Sequence, residues 1–413
     1  MLPRAPSPRP ARRTALIAAA ALVLTGLAGS SSAAPGMTPP DKDPFYRYVG
    51  RTPLSAIAPG TPLRERDVTL GAFTNGTPLA ATQILYRTTD TAGRPAVSVT
   101  TAVLPVTGTT APRVVAYLSF YDAFTSRCDP SFTLRGGDPG AANQQQAEAE
   151  QGVVLALHAQ GYTVTVPDFE NETLDFMSGP ASGRSSLDAT TATLTALTLP
   201  PTTPVGMMGY SGGSVAADWA SELAPRYRPQ LHVVGVALGG VPVDLGRILR
   251  YVDGTPKWSS IMPALLIGAT RSAQHDLTPY LSPYGAKVVR ADRQRCIGEF
   301  VGNLTLKQLL KPQYADVFHV PELRTALDAL TMGRGRPAEP LLIVAGNLDG
   351  TGDGVTLASD MQALAQRYCR QGVPVDYEEV PHGEHTQVGI AFMPRAFAFL
   401  AGRFAGAPPT STC

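Results

Sequence analysis

Val205-Gly206-Met207-Met208-Gly209-Tyr210-Ser211-Gly212-Gly213 is the stretch from which the rest of this chain is read. An apolar run enters a Gly-x-Ser-x-Gly sequence, and a stretch of helical pattern (214–223) leaves it at once. A serine wedged between strand and helix sits on a sharp turn whose neighbours must be small, and Gly209 and Gly213 meet that limit. Such a turn pushes Ser211 Oγ clear of the backbone. It also aims the Gly212 N–H and the helix start at the point where charge would collect on an attacked carbonyl. Glycine and serine are common, so the motif alone also describes an ordinary glycine-rich turn, and its surroundings must decide.

Upstream, alternating patterns at 80–86 and 97–103 read as paired strands, and 114–118 as a short apolar strand. A helix pattern at 144–158, a strand at 162–166 and a helix at 185–197 lead into the elbow strand, and 231–238 reads as the next buried strand. Residues 34–66, rich in Pro and Gly, read as a surface wrap. After Gly239-Gly240-Val241-Pro242 the rhythm breaks, leaving helical patches at 245–251, 261–269 and 304–310. It resumes with a strand at 341–345, a helix at 358–369, a strand at 375–380 and a helix at 392–404. Alternating strands and helices predict an α/β fold with a mainly parallel sheet covered on both faces. The core is expected from 34–242 and 336–413. A helical cap, 243–335, is inserted after the strand that follows the elbow, over the sheet edge where such folds place their sites.

With 413 residues, 44% of them apolar and 16% charged, the chain can bury a large core and is not disordered in composition. Residues 1–33 read as a signal peptide: Arg4, Arg9, Arg12 and Arg13 precede an apolar run (15–24), and small residues follow. The Arg12-Arg13 pair fits twin-arginine export. The run is shorter than the ~20 residues a membrane span needs. Without those four arginines, 30 basic residues face 33 acidic ones, so no basic excess suggests a nucleic-acid partner. Cys128, Cys296, Cys369 and Cys413 fit an oxidising compartment and allow three pairings. There is no Cys-x-x-Cys pattern to suggest a metal.

A serine nucleophile needs a base, and the base an orienting acid. The order serine, acid, histidine, each on a loop after a strand, is present here. Gly346-Asn347-Leu348-Asp349 follows one strand, and Pro381-His382-Gly383-Glu384-His385 follows another. His385, just ahead of the last helix, is the expected base; His382 reads as a solvated loop residue. Asp349 stands at the usual distance from its strand and is the favoured acid, with Asp353 as the alternative. A calcium loop with ligands at Asp349, Thr351, Asp353 and Asp360 is the rival reading, but a strand precedes it where an EF-hand has a helix.

With these residues in view, the chain resembles the secretory lipase family of α/β-hydrolases, the yeast lipase A-like group. The blocks that carry the resemblance are Pro59-Gly60-Thr61-Pro62-Leu63, Tyr86-Arg87-Thr88-Thr89-Asp90, Tyr121-Asp122-Ala123, Cys128-Asp129-Pro130-Ser131, the elbow, and the Asp349 and His385 loops. It implies secretion, carboxylic-ester hydrolysis with a lipid bias, and a helical cap over the site. It also gives Asp122 a role as second oxyanion donor beside Gly212. A carboxylate cannot donate, so that role requires a protonated Asp122. Cys128 is expected to pair with Cys296, and Cys369 with Cys413. The substrate is expected to be a lipid or small ester, with the cap meeting a lipid interface and no cofactor or metal required. A serine peptidase or acyltransferase would use the same triad, and a non-catalytic surface protein could keep the same fold.

Overall fold

All five residues of the segment Val114–Leu118 are buried. A strand with no polar side must be covered on both faces. The computed structural model describes residues 37–71, 78–105, 111–138 and 140–413; the expected leader, residues 1–33, lies outside the described residues. The strands are β1 (Pro62–Leu70), β2 (Leu79–Thr89), β3 (Pro95–Val103), β4 (Val114–Leu118), β5 (Thr163–Pro167), β6 (Pro204–Tyr210), β7 (His232–Gly239), β8 (Leu341–Asn347) and β9 (Val375–Pro381). They form one sheet in the order β1-β2-β3-β5-β4-β6-β7-β8-β9. β1, β2, β3 and β5 pair antiparallel, and from β5 to β9 every neighbour is parallel. This is the α/β-hydrolase arrangement.

The helices are α1 (Pro130–Thr133), α2 (Ala141–Ala159), α3 (Gly179–Ala196), α4 (Gly212–Tyr227), α5 (Leu245–Val252), α6 (Met262–Ser272), α7 (Pro283–Asp292), α8 (Leu306–Leu309), α9 (Pro321–Asp328), α10 (Ala358–Arg370) and α11 (His385–Phe404). The period-two alternation of the strands sorts the core into two layers. Val114, Ala116 and Leu118 of β4, Val205 and Met207 of β6, and Leu341, Ile343 and Ala345 of β8 face α4, α10 and the helices between β7 and β8. Val115, Tyr117, Met208, Tyr210, Leu342 and Val344 face α2 and α11 instead. Each fully buried aliphatic side chain stabilises these layers by roughly 1.5–3 kcal/mol.

One strand was hidden from the sequence. β1 begins in the segment read as a wrap and runs four residues past it, and its charged Arg64, Glu65, Arg66 and Asp67 carry no apolar signal. Charge on an exposed edge guards against further pairing. Here Arg66 also bonds Gln83 of β2 and pairs with Asp43.

Residues 243–335 hold α5 to α9 and short 3-10 turns, with no strand. Two disulfides pin the outer parts of the fold. Cys128–Cys296 (Cα–Cα 5.7 Å) joins the loop after β4 to this helical segment, beside a backbone bridge between Ala123 and Cys296. Cys369–Cys413 holds the C-terminal tail to α10.

Candidate active site

Between β6 and α4, Ser211 has φ +52° and ψ −121°, a conformation that costs an L-residue about 1–3 kcal/mol. Its surroundings enforce it. A Cβ at Gly209 would lie 2.2 Å from the Gly213 carbonyl oxygen, and one at Gly213 would lie 2.0 Å from that of Leu118 in β4. The Ser211 N–H donates to the Gly239 carbonyl at the end of β7 (2.9 Å), fixing the turn to the sheet.

His385 is the first residue of α11 and is almost fully buried. Its Nε2 lies 2.9 Å from Ser211 Oγ and its Nδ1 lies 2.8 Å from Asp353 Oδ2. Asp353 is fully buried. Burial alone would raise its pKa. The charge and hydrogen bond of His385, together with the N–H groups of Thr356 and Val355, outweigh that and hold the carboxyl below the ordinary aspartate value.

The expected acid is not the residue that meets the base. Asp349 is exposed at the tip of the loop, where it accepts the N–H groups of Thr351 (2.8 Å) and Gly352 (3.1 Å) and the Tyr251 hydroxyl. The loop folds back on itself: the Leu348 N–H bonds the Gly352 carbonyl (2.6 Å) and the Asp353 N–H bonds the Thr356 carbonyl (3.0 Å). Counting from the strand end therefore lands on the tip, while the residue four further on turns inward. The calcium reading loses its ligands in the same way, with Asp353 spent on His385 and Asp360 paired with Arg247. His382 is exposed, at φ +57°.

The secretory lipase family model matches residues 139–412. The chain belongs to the secretory lipase family. Over 385 residues it is 32% identical to a probable inactive lipase of Mycobacterium tuberculosis, covering 90% of this chain and 84% of that one. It is equally 32% identical to a secreted triacylglycerol lipase of Malassezia globosa, covering 90% and 81%. The closed-state structure of Candida antarctica lipase A shares the fold at a TM-score of 0.82, with 24% identity over 91% of this chain and 89% of that one. As a member of this family the chain is a serine ester hydrolase.

In this secretory lipase, Asp122 lies against the elbow. A Cβ at residue 212 would fall 1.7 Å from Asp122 Oδ1, so only glycine lets that carboxyl come so close. Asp122 is itself strained, at φ +29°, and buried. Burial, and then the nearby Glu150 carboxyl, push its pKa up to about 7. A carboxyl so placed can remain protonated near neutrality and donate a hydrogen bond.

Some neighbours of the site could not be seen in the sequence. The Tyr210 hydroxyl donates to the His385 carbonyl, and its ring lies 5.1 Å from the imidazole. From the helical segment, Trp258 sets its edge on His385 (5.3 Å) and donates through Nε1 to Glu384 (3.0 Å), which Lys257 also pairs with (2.8 Å). Glu384 caps α11 in turn. Tyr210 carried one signal, its place inside the elbow; Trp258 and Glu384 carried none. Ser211, His385 and Asp122 open on a cleft lined by apolar side chains, among them Phe176, Met177, Ile261, Leu265 and Phe300.

Proposed function

We propose that Ser211, His385 and Asp353 are the catalytic triad of an exported lipase acting on acylglycerols or related lipid esters. The observation that carries the reading is the unbroken line from Ser211 Oγ through His385 to Asp353, with links of 2.9 and 2.8 Å. Ser211 Oγ attacks the ester carbonyl as His385 Nε2 takes its proton. Asp353 orients the ring and stabilises the imidazolium. The Gly212 N–H and a protonated Asp122 receive the developing oxyanion. His385 returns the proton to the departing alcohol, and then activates water against the acyl-enzyme.

The apolar cleft supports an acyl group as the part of the substrate that is bound, and the activity named for the Malassezia relative agrees with it. Residues 243–335 act in this reading as a cap, since Ile261, Leu265 and Phe300 belong to that segment and line the cleft. Residues 1–33 act as the export signal, and the two disulfides favour an oxidising destination.

The inactive name of the Mycobacterium relative raises the alternative of a fold kept for binding. The intact hydrogen-bonded line favours catalysis over it. A fluorophosphonate probe should label Ser211, and the protein should hydrolyse p-nitrophenyl esters and triglycerides while Ser211→Ala does neither. Absence of labelling in folded protein refutes the triad. Turnover of aminoacyl amides but not esters would move the reading to a peptidase.

A further inference from the structure

Three buried carboxyls lie near one another here. Glu150 comes from α2, Glu170 from the loop after β5, and Asp122 from the loop after β4. They differ in the donors that face them. Glu150 accepts from the Ser119 hydroxyl at 2.5 Å on one oxygen and from the Phe120 N–H at 2.9 Å on the other. Glu170 accepts from the Ala123 N–H at 3.3 Å, and its second oxygen has no partner among the described residues. The donor that reaches the Asp122 carboxyl is its own backbone N–H.

Hydrogen bonds to a charged form favour that form. With like charges crowded in a low-dielectric site, one carboxyl ionises first and holds the others neutral. By its donors that one is Glu150, although burial outweighs them and raises its own pKa to about 7. Among the described residues no cation forms an ion pair with these three carboxyls, although the Arg271 charge acts on Glu170. Arg271 of α6 is directed to the carbonyls of Thr173 and Leu174, and His385 is engaged by Ser211 and Asp353.

Glu150 also grips the segment mechanically. One turn earlier on α2, the Gln146 Nε2 donates to the Phe120 carbonyl (2.9 Å). Two side chains of one helix thus hold both backbone groups of Phe120, two residues before Asp122. Next to them lies a small cavity lined by polar groups of Asn143, Gln146, Glu150 and Thr133.

We propose that Glu150, with Gln146, is a positioning residue for the oxyanion site: it clamps the Ser119–Phe120 stretch from α2 and, as the first of the three carboxyls to ionise, delays the loss of the Asp122 proton. The proposal rests on the reading of Asp122 as a donor. It adds that the pH range of the enzyme is set by a residue that never touches substrate. Burial raises Asp122 first and Glu150 adds to it, so removing the Glu150 charge lets Asp122 ionise at lower pH.

Glu150→Gln isolates the charge, because an amide can still accept from Phe120 and donate to Ser119 Oγ. The measurement is kcat/KM for a soluble p-nitrophenyl ester against pH, with thermal midpoints alongside. In Glu150→Gln the alkaline limb should move toward acid by about one pH unit. In an Asp122→Asn background, where residue 122 cannot titrate, Glu150→Gln should shift no limb. Glu150→Asp keeps the charge, and should keep the limb where wild type has it while kcat falls. Uniform loss in Glu150→Gln at an unmoved limb overturns the proposal, as does an equal shift in both backgrounds. Failure of the underlying reading is visible separately, as Asp122→Asn being no more active than Asp122→Ala.

Discussion

Asp353 and His385 are bonded twice. The imidazole Nδ1 lies 2.8 Å from Asp353 Oδ2, and the His385 backbone N–H donates to the Asp353 carbonyl at 2.8 Å. The acid therefore fixes both the ring and the first turn of the helix that carries it. Two further N–H groups and the Thr356 hydroxyl complete the coordination of the carboxylate. A group held this firmly from both sides has little freedom to present any other face to the imidazole.

Replacing the acid should separate the two aspartates sharply. Asp353→Asn keeps the shape but favours the wrong tautomer, and should lower kcat by roughly 10³–10⁴-fold. Asp349→Asn touches an exposed carboxylate that caps its own turn, and should stay within a few-fold of wild type. Steady-state ester hydrolysis with both variants decides it, and a reversed ranking would return the role to Asp349.

The contrast shows what the sequence can and cannot carry. The strands β4, β6, β7 and β8 were legible because burial on both faces writes continuous apolar runs, and the elbow because its glycines answer a steric limit. The acid was not. Asp349 and Asp353 share composition and surroundings along the chain, and only the fold-back bonds of Leu348 and Asp353 decide which one turns inward. β1 was missed for the opposite reason, because its charges serve an edge and leave no hydrophobic pattern. Trp258 meets Glu384 across 126 residues, a distance that no local pattern encodes.

The oxyanion reading predicts how activity depends on pH. Asp122 works in its protonated form, and its pKa is raised to about 7 by burial and by Glu150. Activity is therefore present below that value and declines as pH rises through it. Asp122→Asn, still a donor, should flatten that decline and retain part of the activity. Asp122→Ala should lose roughly 10²–10³ in kcat. A wild-type rate that climbs steadily through neutral and alkaline pH would exclude a protonated Asp122 as the donor.

Trp258 should matter to the reaction more than to the fold. Its edge covers His385 and its Nε1 holds Glu384, while the Lys257–Glu384 pair beside it is solvent-facing. An exposed pair contributes about 0–1 kcal/mol, so Lys257→Ala should change the thermal midpoint little. Trp258→Ala opens the cleft to water beside the base and should reduce kcat at least ~10-fold, with Trp258→Phe intermediate. If Lys257→Ala proved the more damaging of the two for turnover, the pair and not the ring would be what holds the histidine loop.

The buried carboxyls predict that stability peaks on the acid side of neutrality. Asp122, Glu150 and Glu339 are each raised, by burial above all, to about 7 from ordinary values of 3.8 and 4.5. The unfolded chain releases these protons near pH 4, whereas the folded chain keeps them until about 7. Within that window the folded state binds more protons, so raising the pH withdraws stability. What these groups contribute is complete below their unfolded values and gone once pH has passed through about 7. Asp353 works in the opposite sense: its depressed value means that stability is lost as pH falls through the acid range. The two trends together place the optimum at mildly acidic pH. Calorimetry should therefore find a higher thermal midpoint near pH 5 than near pH 8, and Glu339→Gln, remote from the oxyanion segment, should flatten the slope between them without altering the pH profile of ester hydrolysis. A midpoint that rises from pH 5 to pH 8 would mean that these acids are ionised in the folded protein, and would remove the basis for a neutral Asp122 as well.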